Sequence, residues 1–319
     1  PSVVSTSDAG AGIGYTGIRV RGSDATRINV NINGIPYNDA ESQGTFWVNL
    51  PDFGSSVGTL QLQRGVGTST NGAGAFGASI NLSTDRMSDA AYVELSNSFG
   101  SFTTRKHTVM FSTGPISDQF ELSGRLSKID SDGYIERASS DLKSYFLQGI
   151  FIDENTQIKA LAFGGFERTY QSWFGIDETT LKTNRSYNPA GENYDSDGNV
   201  IGFYEDQVDN YNQDHYQLHW EQGINAYWSL ALGLNYTYGR GYYQELNDIW
   251  YDQNIGFSGN TSANYLQLPQ TDAVDTENIT QKWLDNDFYV ANLMAAFEKG
   301  TQKLNLGFSY SNYLGDHFG

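Results

Sequence analysis

From about residue 89 onward, apolar and polar residues alternate along the chain. "AYVELSNSF" sets Val93, Leu95 and Phe99 against Glu94, Ser96 and Ser98. "FELSGRLS" opposes Phe120, Leu122 and Leu126 to Glu121, Ser123, Arg125 and Ser127. "SLALGLNYTYG" does the same with Leu230, Leu232, Leu234, Tyr236 and Tyr238, and "KLNLGFSYS" with Leu304, Leu306, Phe308 and Tyr310. A period of two is the signature of a strand with two different faces. Runs of about 9–14 residues match a tilted strand that crosses a bilayer. Over 156–166 Lys159 shares a face with Leu161 and Phe163, so that strand's lipid face stays unassigned.

The pattern predicts strands near 89–99, 102–113, 120–131, 142–152, 156–167, 213–224, 228–242, 284–298 and 302–314. The connections after the second, fourth, sixth and eighth are short: "GPISDQ", "DEN", "INAY" and "KGT". On the other end, apart from "GS" after the first strand, they are long, above all 168–212 and 243–283. Transmembrane barrels have this asymmetry, and soluble sandwiches have no reason for it. Tyr236, Tyr238, Tyr310 and Tyr313 fit an interfacial aromatic girdle; ordinary cross-strand packing is the alternative.

Residues 1–86 have another character. They are rich in Gly, Ser, Asn and Thr, with short strands at 17–22, 27–34, 59–65 and 78–84 and a hairpin dipeptide at Asn33-Gly34. So small and glycine-rich a unit is marginal alone. Composition narrows the class further. The 319 residues carry a net charge of −18, which argues against a nucleic-acid partner. Cysteine is absent, so disulfides, thiolate metal sites and a cysteine nucleophile are excluded. No apolar run is long enough for a transmembrane helix. "PSVVSTSDAGAG" lacks the basic and apolar segments of a secretory leader, so the chain reads as mature protein or as a fragment.

"GAGAFG" at 72–77 matches the dinucleotide fingerprint letter for letter. That fingerprint needs a helix after it, whereas "ASINLST" reads as a strand, and no Lys follows Gly77 to make a phosphate loop. Small residues there suit a chain that threads close beside neighbouring backbone. No catalytic constellation emerges, and the chain reads as a non-enzyme without cofactor or metal. His107, His215, His219 and His317 are scattered. His215 and His219 share a strand face but stand about 13 Å apart, too far to chelate one ion. "DSDGN" at 195–199 resembles the start of a calcium loop, but the distal Glu is missing, so a plain Asp/Gly turn is the simpler reading.

The order and spacing of "IRVRG", "INVNINGIPYNDAESQGTFWVNLPDF", "TLQLQRG" and "NGAGAFGASINLST" resemble the latter two-thirds of the plug domain of TonB-dependent outer-membrane receptors, over residues 1–84. Asn33 stands where that family has Asp, and Asn71-Gly72 where it has Tyr-Gly. The resemblance implies an all-β membrane protein: a transmembrane antiparallel β-barrel of about 22 strands, some nine of them here, with an N-terminal mixed α/β plug in the lumen. Residues 1–86 would be plug and 87–319 barrel. An energy-coupling segment and the first part of the plug would precede Pro1, making the chain an interior fragment.

The same resemblance implies an importer that draws on the TonB-ExbB-ExbD energy-coupling complex, sits in outer-membrane lipid, and binds a scarce small molecule. A ferric siderophore or related chelate is favoured. Oligosaccharide, haem and cobalamin stay open, as does a non-transporting adhesin or pore. A surface lipoprotein is an optional further partner.

By position, Tyr37, Glu41, Gln43, Phe46 and Trp47 would face the outer vestibule. Trp47 has a second reading, as an anchor of the plug against the wall. Trp173, Phe174 and Tyr204 in the first long loop and Trp250 and Tyr251 in the second would meet ligand from above, or else pack the loops themselves. Arg21 and Arg64 match family "R-G" motifs whose arginines pair with carboxylates of the barrel wall.

Overall fold

The computed structural model describes residues 2–66, 76–84, 87–247 and 278–319. The N-terminal unit opens on a hairpin of β1 (Val3–Ser7) and β2 (Thr16–Val20). β1 escaped the sequence reading because two adjacent valines and three hydroxylated residues carry no alternation. β3 (Ile28–Ile32), β4 (Ile35–Pro36), β5 (Val57–Arg64) and β6 (Ala78–Thr84) form a sheet of order β4-β3-β6-β5. Asn33 and Gly34 turn β3 into β4 with φ of 53° and 79°, as the dipeptide predicts. The helical part of this unit is three 3-10 turns, at 25–27, 47–49 and 53–56. No α-helix occurs among its described residues, which corrects the expected mixed α/β character. Its glycine- and serine-rich sequence offers no apolar stripe at helical period.

Of the "GAGAFG" stretch, residues 72–75 lie outside the described residues. Gly77 is described, and its N–H donates to the Arg27 carbonyl at 2.8 Å. A Cβ there would stand 2.5 Å from that of Ser23 and 3.1 Å from the Arg27 carbonyl. Close backbone approach therefore accounts for this glycine.

Among the described residues that follow, the main sheet is antiparallel with its strands in sequence order. β7 (Tyr92–Phe99), β8 (Arg105–Ser112), β9 (Phe120–Ser131), β10 (Ser140–Ile152) and β11 (Thr156–Tyr170) come first. A loop follows with helix α1 (Glu178–Thr183) and a small hairpin of β12 (Glu192–Tyr194) and β13 (Val200–Phe203). β14 (Val208–Gly223), β15 (Trp228–Asn247), β16 (Asn278–Lys299) and β17 (Gln302–Phe318) complete nine strands. Every predicted strand is present. β8 begins later than expected because Phe102 and Thr103 turn the chain with φ of 58° and 54°.

β11 and β14 run on to pair Tyr170 with Val208, so the first long loop is only 171–207. It carries its own core of Tyr170, Ala190 and Val208. The Tyr170 hydroxyl donates to the carbonyls of Ala190 (3.0 Å) and Tyr204 (2.8 Å).

The two faces of the sheet separate as the alternation requires. On β15, Leu234 is exposed on one face, while Gly233, Asn235 and Thr237 are buried on the other against the N-terminal unit. Tyr216, Tyr236 and Tyr289 stack along the outer face with centroids 6.0 and 5.0 Å apart. Tyr313 departs from the expected girdle. It sits opposite Phe288 and lines a crevice with Ile35 and Tyr37 of the N-terminal unit.

The unassigned face of β11 also resolves. Leu161 and Phe163 point inward because the N-terminal unit supplies Phe53 against them. Phe53 lies 5.1 Å from Phe163 and 6.3 Å from Phe146 of β10. Gly165 marks the closest approach, where a Cβ would stand 2.5 Å from Pro51 and 2.6 Å from the Asn49 carbonyl.

A second apolar contact sets Val48 of the unit against Ile129 of β9 and Leu142 of β10, and Ile35 lies beside Gly233 of β15; polar contacts complete the interface. Thr84 donates to Gln148 at 2.7 Å, Tyr37 to Gln213 at 3.3 Å, and Asn292 to the Gly34 carbonyl at 3.2 Å. Asp52 is their focus. Its buried carboxylate accepts from Lys106 and Ser127, from Thr108 at 3.1 Å and from Ser55 at 2.5 Å, and pairs with Arg125 at 3.0 Å. Arg125 is 2% exposed, and its Nε also donates to Ser56 at 2.9 Å. Burial alone would raise the Asp52 pKa. Hydrogen bonds from Lys106, Ser127 and Ser55 and the charge of Arg125 outweigh it and hold the carboxyl to about 2.

Two outcomes follow for the hold of the unit on the sheet. Asp52→Ala should weaken it by about 3–5 kcal/mol, because Arg125 is left buried and unpaired. Because the folded pKa lies below the unfolded one, the contribution is complete above pH ~4 and disappears as pH falls toward ~2. Urea release of residues 2–84, followed by Trp47 fluorescence against pH, checks both. A midpoint independent of pH in that window would exclude the ionic role.

Candidate functional site

A cavity of about 750 Å³ lies between the N-terminal unit and the loop-side ends of β11 and β14–β16. The rings of Tyr15, Tyr37, Phe46, Trp173, Tyr211 and Tyr243 line it, together with carboxylates of Asp8, Asp39, Glu167 and Asp209. The Tyr15 hydroxyl donates to Asp209, and its ring meets that of Trp173 edge-on at 5.3 Å. The first long loop is thereby tied to the N-terminal unit. Burial raises the pKa of Tyr15 and Tyr37 well above the ordinary phenol value, with nearby carboxylates adding to the effect, so both stay neutral donors. Lys282 is held by Glu245 at 2.9 Å, and His317 by Glu41 at 3.0 Å.

Of the residues expected to meet ligand, Tyr37, Phe46 and Trp173 are brought together on this cavity. Glu41 stands beside it through His317. Gln43 is exposed, and its amide donates to the Ala40 carbonyl at 2.8 Å. Trp47 packs on the core of the N-terminal unit and does not line the cavity. Phe174 is exposed beside Trp173, with centroids 6.1 Å apart. Tyr204 belongs to the loop's own packing, where its hydroxyl accepts from Gln244 at 2.7 Å. Trp250 and Tyr251 lie outside the described residues.

Arg21 and Arg64 are both exposed, and neither forms an ion pair among the described residues. The ion pairs that join unit to sheet run with opposite polarity, from Asp52 to Lys106 and Arg125 and from Glu41 to His317.

Glu167 and Asp209 were not singled out in the sequence. Extending the inward alternation of β11 past Phe163, and that of β14 back from Gln213, would have placed them on the face toward the unit. His215 is buried, stacks on Phe163 at 4.7 Å, and bonds Thr237 through Nδ1 at 2.8 Å. Among the described residues no group of three or more side chains is arranged to hold a metal. In "DSDGN" the Asp195 carboxylate accepts from the N–H groups of Asp197 (2.9 Å) and Asn199 (2.8 Å), which closes the turn between β12 and β13.

Tyr15→Phe should destabilise the protein by about 1–3 kcal/mol by removing the donor to Asp209. Denaturant unfolding measures the cost. The Trp173 environment should stay native in near-ultraviolet circular dichroism, since the ring contact is kept.

No protein-family model matches the chain, and no curated sequence does. Solved structures do match. The ferric citrate transporter FecA in unliganded form aligns with TM-score 0.69 at 13% identity, over 99% of this chain and 44% of that one. BauA, the ferric preacinetobactin receptor from Acinetobacter baumannii, gives 0.68 at 14%, over 100% and 43%. The ferripyoverdine receptor of the outer membrane of Pseudomonas aeruginosa, bound to ferripyoverdine, gives 0.61 at 13%, over 100% and 40%. The chain thus spans less than half the length of these structures. The resemblance carried by residues 1–84 and the likeness of the whole chain meet on one fold, that of the TonB-dependent outer-membrane receptors.

Proposed function

We propose that this chain is the plug and adjoining barrel strands of an outer-membrane receptor that binds a ferric chelate outside and imports it with energy from a TonB-type complex. Residues 1–86 act as plug and 87–319 as wall. The observation that carries this reading is the N-terminal unit lying across the inward face of the nine-stranded sheet, with a cavity above it at the long-loop end. A passive pore or an adhesin has no use for an occluding unit of that size. The fold it shares with ferric-chelate receptors favours iron over glycan, haem or cobalamin.

Tyr37, Phe46 and Trp173 serve as ligand contacts, while Trp47 anchors the unit. A deletion strain should lose growth on chelated iron but not on cobalamin or glycan sources. Retained iron growth with loss on a glycan would redirect the reading.

Two variants test its parts. Leu232, on the outer face, becomes lipid-facing, and Leu232→Arg should cost about 2–4 kcal/mol near the bilayer midplane. Unfolding in lipid vesicles would show it, and a cost no larger than that of Leu232→Ala would remove the membrane assignment. Trp173→Ala should weaken ligand binding up to about tenfold, the worth of one aromatic contact. Trp47→Ala should lower stability and leave affinity unchanged. Titration calorimetry and thermal melting separate the two.

A further inference from the structure

We infer that the outer cavity takes a ligand bearing a positive charge, an ammonium or guanidinium seated at Tyr15, Glu167 and Asp209. This rests on reading the cavity as the ligand site. Its lining holds four carboxylates, those of Asp8, Asp39, Glu167 and Asp209. The two basic side chains of that lining are already engaged, Lys282 by Glu245 and His317 by Glu41. Among the described residues of the lining, no further positive charge stands ready to receive an anion.

Glu167 sharpens the point. It is 1% exposed, yet among the described residues no cation stands within ion-pair distance of it. Its neighbours are hydroxyl donors: Thr169 at 3.5 Å, and Tyr15, whose hydroxyl donates to Asp209. A buried carboxylate without a counter-cation is costly. A charge carried in by the ligand removes that cost. The rings of Tyr15 and Trp173 stand beside it, and aromatic faces attract cations further. An anionic chelate meets like charge here, and such juxtaposition works against binding.

The test uses the whole protein purified in detergent and three small probes of one shape: benzylammonium, benzyl alcohol and benzoate. Saturation-transfer NMR titrations near neutral pH should rank benzylammonium about tenfold tighter than benzyl alcohol, and benzoate weakest. Glu167→Gln and Asp209→Asn should each narrow the gap between the first two and leave benzyl alcohol where it was. Equal affinities for benzylammonium and benzyl alcohol would mean the carboxylates satisfy each other by sharing a proton, and would overturn the inference. So would benzoate binding first, or an order that persists unchanged in both variants. Uptake of chelated radioactive iron is measured separately. The expected order without iron uptake sinks the import reading and leaves the cation seat standing; iron uptake with the order reversed does the opposite.

Discussion

Asp52 occupies a backbone conformation that a non-glycine residue seldom adopts, with φ of 55°. Left-handed backbone costs such a residue roughly 1–2 kcal/mol. What it secures is direction. The turn sends the carboxylate of Asp52 toward β8 and β9, and the ring of the very next residue, Phe53, toward β10 and β11. One kink in the chain thus supplies both an ionic and an apolar hold of the unit on the sheet. Lys106 and Arg125 face inward on their strands to receive the first, and Phe146 and Phe163 to receive the second.

The rest of the interface is more mixed. Away from that patch, beside the apolar contact of Val48 with Ile129 and Leu142 and the ion pair of Glu41 with His317, many partners are neutral amides and hydroxyls, as in Thr84 to Gln148 and Tyr37 to Gln213. Groups of this kind exchange one another for water at little net cost, typically about 1 kcal/mol each. A wholly apolar interface of the same extent would resist parting in proportion to its area. Charged and aromatic contacts gather most densely at Asp52 and Phe53, and many of the others are neutral hydrogen bonds.

Much of the architecture was legible because a period of two survives in any strand with unlike faces. It failed where the inner face stopped being polar. Leu161 and Phe163 look lipid-facing by type, and nothing local in the sequence says that Phe53 will cover them. Tyr313 was misplaced for the converse reason, since residue type outweighed the parity that Phe308 and Tyr310 had already set. Arg21 and Arg64 drew notice as motif arginines. Asp52, in an unremarkable "LPDFG", holds the unit to the sheet through partners 54 and 73 residues away. Pairings at that separation follow from topology, which no window along the chain contains. The cavity was half legible: Tyr37, Phe46 and Trp173 stood out as loop aromatics, whereas its carboxylates on β11 and β14 looked like ordinary ends of polar faces.

One line of contacts joins the cavity to the hold. Tyr37 lines the cavity and lies 5.5 Å from His215; His215 stacks on Phe163 at 4.7 Å; Phe163 meets Phe53 at 5.1 Å; and Asp52 is its neighbour in the chain. Contiguity of this kind fixes positions but does not by itself transmit anything. A ligand biases the hold only by as much as its affinity differs between the held and released arrangements. That condition falls on Tyr37. Among the described residues it is the member of the stack that lines the cavity, and it is also carried on the unit that would move, while His215 and Phe163 belong to the sheet. A ligand that rests on Tyr37 and on the sheet's Tyr211 or Tyr243 together spans the two bodies and so favours the held arrangement.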